Sequence, residues 1–159
     1  MNAAIESELG VGGVGPAALI AIDVEPGILV ERLATHLRRG QSSMVRAVQV
    51  LESRGLVEKR PGRDRRTLGL YLTRKGHKTV ANLLDRRSRV LDKALAALSS
   101  GELKRFEKSI GLMLEALIER ADDRYPMCRL CDEAACGPAD SCPVERGAAA
   151  CRHDGVDRD

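Results

Sequence analysis

The sequence is poor in aromatic residues, contains no tryptophan and has no long apolar run. Of its 159 residues, one is phenylalanine and two are tyrosine. Proteins that bind single-stranded nucleic acid stack the bases on exposed rings, so this composition argues against that class. No apolar run approaches the roughly 18 residues of a membrane span, and the N-terminus lacks the basic start and apolar stretch of a secretory signal. We therefore expect a cytoplasmic protein with no membrane segment.

Basic residues are absent from one part of the chain and concentrated in another. Residues 1–30 contain no lysine or arginine and four acidic residues. Residues 31–93 contain 17 basic and 6 acidic residues, a net charge of +11, whereas residues 94–159 contain 9 basic and 13 acidic residues, a net charge of −4. A polyanion would therefore bind the middle of the chain. The length predicts one domain with a small appendage, and 43% hydrophobic residues are enough for a core.

Three helices are predicted in the first third of the chain. A short apolar helix is expected over Ala17–Ile22, and a second begins at Pro26, carries leucines four residues apart and ends at Gly40. A third helix, Gln41–Arg54, ends before Gly55, a position typical of a C-cap glycine. The inner side of the third helix carries Met44, Val45, Val48 and Leu51. Two helices joined by a short glycine-containing turn are typical of a helix-turn-helix.

A hairpin and a long helix are predicted next. Leu56-Val57 begins a short strand, Pro61-Gly62 is a turn dipeptide, and Thr67–Leu72 alternates as a second strand. Thr73 is expected to cap the helix that follows. The apolar stripe of that helix consists of Val80, Leu84, Leu91, Leu95 and Leu98.

A last long helix is predicted between a capping box and a proline. Ser99 and Glu102 have the spacing of a capping box, and the helix is expected to run through about Asp122 and to be stopped by Pro126. Its apolar positions are Leu103, Phe106, Ile110, Met113, Leu114, Leu117 and Ile118. From Met127 onward, glycine, proline, cysteine and charged residues dominate. We expect no segment of this tail to form a hydrophobic core unaided.

The predicted hairpin contains a gapless D-x-R-x5-L-T pattern, formed by Asp64, Arg66, Leu72 and Thr73. This pattern resembles the wing of the MarR family of winged-helix regulators, and Leu51–Glu58 resembles that family's exit from the recognition helix. The resemblance covers Pro16 to Arg120. The resemblance implies a mainly α fold with a small β-hairpin wing (α+β). This fold is a winged helix-turn-helix that dimerises through its terminal helices.

The resemblance also implies binding to double-stranded DNA. Arginine and glutamine on the outer side of the recognition helix can bond base edges, whereas serine more often contacts phosphate. The arginines of the wing tip suit phosphates or a narrow minor groove. By resemblance, Arg66 is the minor-groove residue and Asp64 braces the wing. Arg38, Arg39 and Lys59 are candidate phosphate contacts. The candidate DNA-binding residues are Arg38, Arg39, Gln41, Ser42, Ser43, Arg46, Gln49, Arg63, Asp64, Arg65 and Arg66.

Members of this family act as homodimers whose two recognition helices enter successive major grooves of a pseudo-palindromic operator. The family's first helix is longer than the segment Met1–Leu9. We expect either that the interface relies more on residues 100–125 and the tail, or that the start of the chain is abbreviated. Many family members respond to small phenolic ligands in a cleft between the dimer helices and the DNA-binding lobe, but the few aromatics here do not identify an effector. The expected organisation is a dimerisation segment 1–15, a DNA-binding lobe 16–73, dimerisation helices 74–125 and a cysteine-rich tail 126–159.

Four cysteines lie within fifteen residues of the tail. A CxxC turn lets two sulfurs face one ion, and two further thiolates can complete a tetrahedron. We predict one four-cysteine metal site per chain, formed by Cys128, Cys131, Cys136 and Cys142. Four thiolates suit Zn²⁺ and equally suit an iron–sulfur cluster. The alternatives are unconnected reduced thiols or cysteines that pair only on oxidation. Cys151 and His153 remain as substitute ligands, as groups that resolve an oxidised thiol, or as parts of a mobile tail without a role.

The sequence therefore predicts a non-enzymatic, homodimeric DNA-binding regulator. We expect a repressor whose output is set by metal, redox state or a small ligand. One alternative is a thiol–disulfide oxidoreductase that uses Cys128-x2-Cys131, but such sites normally lie in a βαβ setting, which the tail lacks. The other alternative is a zinc-stapled protein–protein adaptor without DNA binding, and the intact wing motif argues against it.

Overall fold

The computed structural model describes residues 13–61, 67–129, 131–132, 135–136 and 138–153. The chain forms two compact units, Met1–Asp85 and Arg86–Asp159. The first contains helices α1 (Gly15–Val24), α2 (Val30–His36) and α3 (Gln41–Ser53), strands β1 (Val57–Pro61) and β2 (Leu68–Leu72), and the start of helix α4 (Arg74–Leu95). The second contains the rest of α4 and helices α5 (Ser100–Ala116), α6 (Arg124–Cys128) and α7 (Pro143–His153). The predicted fold class, mainly helical with one antiparallel hairpin, is confirmed.

The core of the first unit lies between the helices and the hairpin. The largest fully buried side chains are Leu19, Ile22, Leu33, Met44, Val48, Leu51, Leu70 and Val80. Each such side chain contributes about 1.5–3 kcal/mol relative to an exposed position. Because α3 contributes three of them, the recognition helix is fixed along its inner side.

Helix α2 begins at Val30, four residues later than the predicted start at Pro26. The intervening residues bond to the wing instead. The Gly27 amide donates to the Leu70 carbonyl at 2.8 Å, and Ile28 forms a β-bridge with Leu70. Gly27 has a φ of 91°, and a Cβ there would lie 2.7 Å from the Tyr71 hydroxyl. Tertiary pairing with β2 therefore overrides the local helical pattern.

The turn between α2 and α3 differs from the prediction that Gly40 ends the helix. Arg38 has a φ of 49°, in the left-handed region. Its amide donates to the Thr35 carbonyl at 3.0 Å, and the Arg39 amide donates to the Ala34 carbonyl at 2.9 Å, as in a Schellman motif. Gly40 is instead the N-cap residue of α3. A left-handed residue other than glycine costs about 1–2 kcal/mol, so this turn carries strain.

The hairpin and the start of α4 are tied to the end of α3. β1 pairs antiparallel with β2, with Val57 opposite Leu72 and Pro61 opposite Leu68, which confirms the predicted hairpin. The Thr73 hydroxyl donates to the Gly55 carbonyl at 2.6 Å and accepts from the amide of residue 76 at 3.0 Å, so Thr73 caps α4 as predicted. The wing tip, residues 62–66, lies outside the described residues.

In the second unit, α5 begins at the predicted capping box but ends at Ala116 rather than near Asp122. The Asp123 carboxylate accepts hydrogen bonds from the amides of Glu119 and Arg120, at 3.0 and 2.8 Å, and so stabilises a break in the helix. Pro126 does not terminate a helix as predicted, because it lies in the first turn of α6, where proline is tolerated.

The tail folds back on the end of α5 through α7, a helix that the sequence pattern does not predict. Ile118, Val144 and Ala148 are buried together. A Cβ at Gly147 would lie 2.8 Å from the Glu115 carbonyl oxygen, so the two segments approach closely. We call Ile118, Val144 and Ala148 the tail core, and the side chains that pack against it are Leu114, Met127, Cys128, Cys142 and Cys151. Because the tail core includes Ile118, which precedes the tail, the tail sequence alone shows no apolar pattern.

Candidate functional site

The outer face of α3 presents the predicted DNA-reading side chains to solvent. Gln41, Ser42, Ser43, Arg46 and Gln49 are all exposed. All of them except Ser43, together with Val45, line a shallow surface depression. The structure thus places four of these five polar residues on one face, and Ser43 is not part of that depression.

Contacts at its C-terminal end hold α3 against the wing. Gly55 has a φ of 67° and forms the predicted left-handed end of the helix. The Lys75 ammonium donates to the Arg54 carbonyl at 2.8 Å, where a cation complements the negative end of the helix dipole. With the Thr73 bond to Gly55, these contacts fix the position of the outer face relative to β1 and β2.

One predicted DNA-reading residue already has a partner within the protein. The Gln41 amide Nε2 donates to the Glu31 carboxylate on α2 at 3.4 Å. The contact is exposed and long, and it orients the amide at the start of α3. A base edge would have to replace Glu31 as the hydrogen-bond partner.

The predicted phosphate contacts are in different environments. Arg38 and Arg39 are exposed in the turn before α3. Lys59 forms an ion pair with Glu52 at 2.8 Å, so a phosphate would compete with that carboxylate. On the same strand, the Arg60 guanidinium lies 5.0 Å from the centre of the Tyr71 ring. The wing residues predicted to reach the minor groove, Arg63, Asp64, Arg65 and Arg66, lie outside the described residues.

The four predicted metal ligands bring their thiol groups together near the end of α6. Cys128, Cys131 and Cys142 are half-buried and Cys136 is exposed. The Cys131 amide donates to the Cys128 carbonyl at 2.8 Å, forming the tight turn expected of a CxxC pair. A hydrogen bond with the Cys131 thiol, followed by burial and by the nearby Cys142 and Cys136, raises the pKa of Cys128 above its ordinary value.

The fit of these thiols to a metal is partial. Across the residues that the structure describes, no group of three or more His, Cys, Asp or Glu side chains is placed to hold a metal ion. Cys128 and Cys131 supply two adjacent sulfurs, and Cys136 and Cys142 would have to approach them. The four-cysteine site therefore stays a prediction.

The tail core is held by ion pairs as well as by apolar contacts. The Arg124 guanidinium lies 3.2 Å from the Glu145 carboxylate, and Arg146 lies 2.9 Å from Glu115. A hydrogen bond to the Tyr125 hydroxyl, with Glu145 nearby, raises the pKa of Arg124. The Cys151 thiol lies 3.5 Å from the Ile118 carbonyl oxygen, so this leftover cysteine is part of the packing. The side chain of His153 lies outside the described residues.

Helix α5 carries an exposed apolar stripe. It buries none of its residues within the part of the chain that the structure describes. Phe106 is 47% exposed and Met113 is 64% exposed. The exposed stripe, at alternating spacings of three and four residues, is Leu103, Phe106, Ile110, Met113 and the C-cap residue Leu117. This spacing is that of a seam between two helices.

Two features of the site are not apparent from the sequence pattern. The pattern assigns Val45 to the inner side of α3, but Val45 lines the outer depression and is not part of the first unit's core. Nothing in the sequence marks Gly76, yet a Cβ there would lie 2.2 Å from the Leu56 carbonyl oxygen. The angular position of Val45 on α3 could have suggested that it faces outward. No local sequence signal indicates that Gly76 must lack a side chain.

Among the described helices, none is long and apolar enough to cross a membrane. A search of curated proteins finds no match. The family model described as "MarR family" matches residues 10–67.

Solved structures share the fold at low sequence identity. A MarR family protein from Bacillus stearothermophilus is 21% identical, with a TM-score of 0.63, over 69% of this chain and 76% of that one. MepR, a transcription regulator of the Staphylococcus aureus multidrug efflux pump MepA, is 18% identical, with a TM-score of 0.64, over 73% and 86% of the two chains. A MepR variant from S. aureus bound to an oligodeoxyribonucleotide is 18% identical, with a TM-score of 0.55, over 71% and 84%. Residues 10–67 are therefore similar in sequence to the MarR family, and the chain has the fold of MarR-family winged-helix proteins.

Proposed function

We propose that the chain is a transcriptional regulator that binds double-stranded DNA in a sequence-specific manner as a homodimer, and that it acts as a repressor. The observation that carries the proposal is the outer face of α3. Four hydrogen-bonding side chains line one exposed depression on a helix whose other side is buried. Such a helix can enter a major groove without any rearrangement of the core.

The distribution of charge supports the same partner. The segment 31–93 carries a net charge of +11 and contains α2, α3, the wing and most of α4. Phosphates attract such a surface, and neutralising them releases counterions, so the affinity of a DNA-binding protein falls with salt. The MepR variant bound to an oligodeoxyribonucleotide has the same fold.

The exposed stripe of α5 supports a dimer. Large apolar side chains spaced as a helical seam are rarely left in water over several turns. A second copy of the chain offers an identical stripe, and a two-fold axis would pair the two. Two recognition helices related by that axis would match a pseudo-palindromic operator.

The DNA proposal is tested with duplexes selected by the purified chain from a random-sequence pool. Affinity is then measured by fluorescence anisotropy between about 50 and 200 mM salt. We expect the wild-type affinity to fall steeply with salt, and Arg46→Ala to weaken binding about 5- to 150-fold at one salt concentration. Lys108→Ala, on the side of α5 opposite the stripe, is the charge-matched control and should bind as the wild type does.

Two results would count against the proposal. One is a pool in which no duplex is enriched. The other is an equal loss of affinity in the Arg46 and Lys108 variants, which would mean that overall charge rather than the face of α3 determines binding. A loss by Arg46→Ala that is uniform over all sequences would assign Arg46 to phosphate rather than to a base.

We also propose that Cys128, Cys131, Cys136 and Cys142 bind one metal centre per chain, either Zn²⁺ or an iron–sulfur cluster. Support comes from the donor chemistry and from the adjacent Cys128 and Cys131 thiols. Zinc would stabilise the fold of the tail, whereas a cluster would add a redox-sensitive state that could regulate DNA binding.

The metal proposal is tested by absorption spectroscopy and by iron, sulfide and zinc analysis of protein purified without oxygen. We expect about one centre per chain, lost in Cys131→Ser and retained in Cys151→Ser, since Cys151 is not one of the four proposed ligands and its thiol lies 3.5 Å from the Ile118 carbonyl oxygen. Equal metal content in the two variants, or none in the wild type, would contradict the assignment.

A further inference from the structure

Val45 is an apolar side chain in the middle of a polar reading face. It is half-buried, yet it does not belong to the core cluster of the first unit or to the apolar residues that pack against that cluster. It lines the surface depression together with Gln41, Ser42, Arg46 and Gln49. Val45 is therefore the one apolar side chain among the residues that line this depression.

The position of Val45 on the helix explains this environment. Residues four apart on an α-helix lie nearly above one another, because each residue turns the helix by about 100°. Val45 is four residues from both Gln41 and Gln49, so it lies between the two glutamines on the same face. The core residues Met44 and Val48 occupy the neighbouring side of α3.

The major groove of DNA offers one apolar group to such a side chain. Thymine alone among the four bases carries a 5-methyl group there, and the other exposed base atoms are hydrogen-bond donors and acceptors. Glutamine and arginine can bond the base edges on either side, while a valine in the same plane meets a methyl without leaving a polar atom unpaired.

We propose that Val45 contacts the 5-methyl group of a thymine in each half-site and selects thymine at that position. This inference rests on the proposed DNA-binding function and adds a specificity-determining residue to it. Val50, also on α3, is 44% exposed but does not line the depression, so it has no comparable role.

The test uses the duplex selected by the wild-type chain, with each thymine replaced in turn by deoxyuridine, which lacks only the methyl group. We expect one thymine per half-site at which the replacement weakens wild-type binding about fourfold, the loss associated with one buried methylene-sized group. Val45→Ala should bind the thymine and deoxyuridine duplexes equally. The matched control Val50→Ala should retain the wild-type preference.

Thermal unfolding followed by circular dichroism establishes that the variants are folded. A second variant, Val45→Thr, keeps the shape of the side chain. Because threonine keeps one γ-methyl group, this variant should show a preference between those of the wild type and Val45→Ala. The inference is overturned if no thymine methyl affects wild-type binding, or if Val45→Ala and Val45→Thr keep the full preference. A pool that yields no duplex at all would instead overturn the proposed function.

Discussion

Helices α3 and α5 are both amphipathic, but their apolar stripes have opposite environments. α3 buries Met44, Val48 and Leu51 in the first unit, where it contacts α1, α2 and β1. α5 leaves its stripe exposed and contacts α7. The periodicity of the two helices does not distinguish these outcomes. An apolar stripe shows that a helix needs a covering surface, and it does not show whether that surface comes from the same chain or from another.

The largest effect is expected from charges placed on the α5 stripe. Phe106→Glu combined with Met113→Glu should raise the dimer Kd at least about 100-fold, because each carboxylate would be buried without a partner in the interface. Sedimentation velocity over a range of protein concentrations measures the change. The control Lys108→Glu, on the opposite side of α5, should leave the dimer Kd unchanged. A dimer that persists in the double variant would show that the stripe is not the interface.

The next largest effect is expected when a buried leucine of α3 is truncated, and an exposed leucine of α5 provides the comparison. Leu51→Ala should lower the free energy of unfolding by about 2–5 kcal/mol, since it leaves a cavity in the core of the first unit. Leu112→Ala removes the same atoms from a side chain that is 60% exposed, and the change should lie within about 0.5 kcal/mol. Urea unfolding measures both. Similar losses in the two variants would mean that α5 is covered at Leu112 as well as along the stripe.

Two glycines, one in close contact with backbone and one in ordinary van der Waals contact with a side chain, should respond differently to substitution by alanine. Gly76→Ala should destabilise the chain by about 1–3 kcal/mol, because its Cβ would meet the Leu56 carbonyl oxygen at 2.2 Å. Gly101→Ala has the Arg105 side chain at 3.7 Å as its nearest neighbour, so it should stabilise α5 by about 0.5 kcal/mol. Thermal unfolding gives the sign of each change. A neutral Gly76→Ala would show that the start of α4 can move away from the wing.

The smallest effect concerns the capping box of α5. Hydrogen bonds from the side chain and the amide of Ser99 lower the pKa of Glu102 below 4.5. A lowered carboxylate pKa contributes stability that is present above the unfolded-state value and is lost as the pH falls through the folded-state value. Helical content at the start of α5 should therefore decrease below about pH 4.5, in wild type more than in Ser99→Ala. Hydrogen exchange of the first-turn amides measures the helical content at the start of α5. Equal pH profiles in the wild type and Ser99→Ala would contradict a contribution of the capping box to stability.

Sequence signals that act within one or two turns predicted the structure well. Gly55 ends α3, Thr73 caps α4, and Ser99 with Glu102 begins α5, as expected. Each of these features is a hydrogen bond or a backbone angle determined by nearby residues. The face of α3 was also predictable, apart from Val45, since helical periodicity separates an inner from an outer side.

Features that depend on residues far apart in the sequence could not be predicted from local sequence signals. The late start of α2 results from the pairing of residues 27 and 28 with β2. Helix α7 has too few apolar residues to be predicted, and it is stabilised by contact with Ile118 and by ion pairs to Arg124 and Glu115.

Local signals were enough to establish the order of the helices, the hairpin, the caps and most of the residues that face outward on α3, because hydrogen bonding and periodicity act between near neighbours in the chain. Two features came instead from contacts between distant segments: Gly76 must lack a side chain, and the tail packs on α5. Burial is a property of what surrounds a residue, and those surroundings come from segments far away in the sequence.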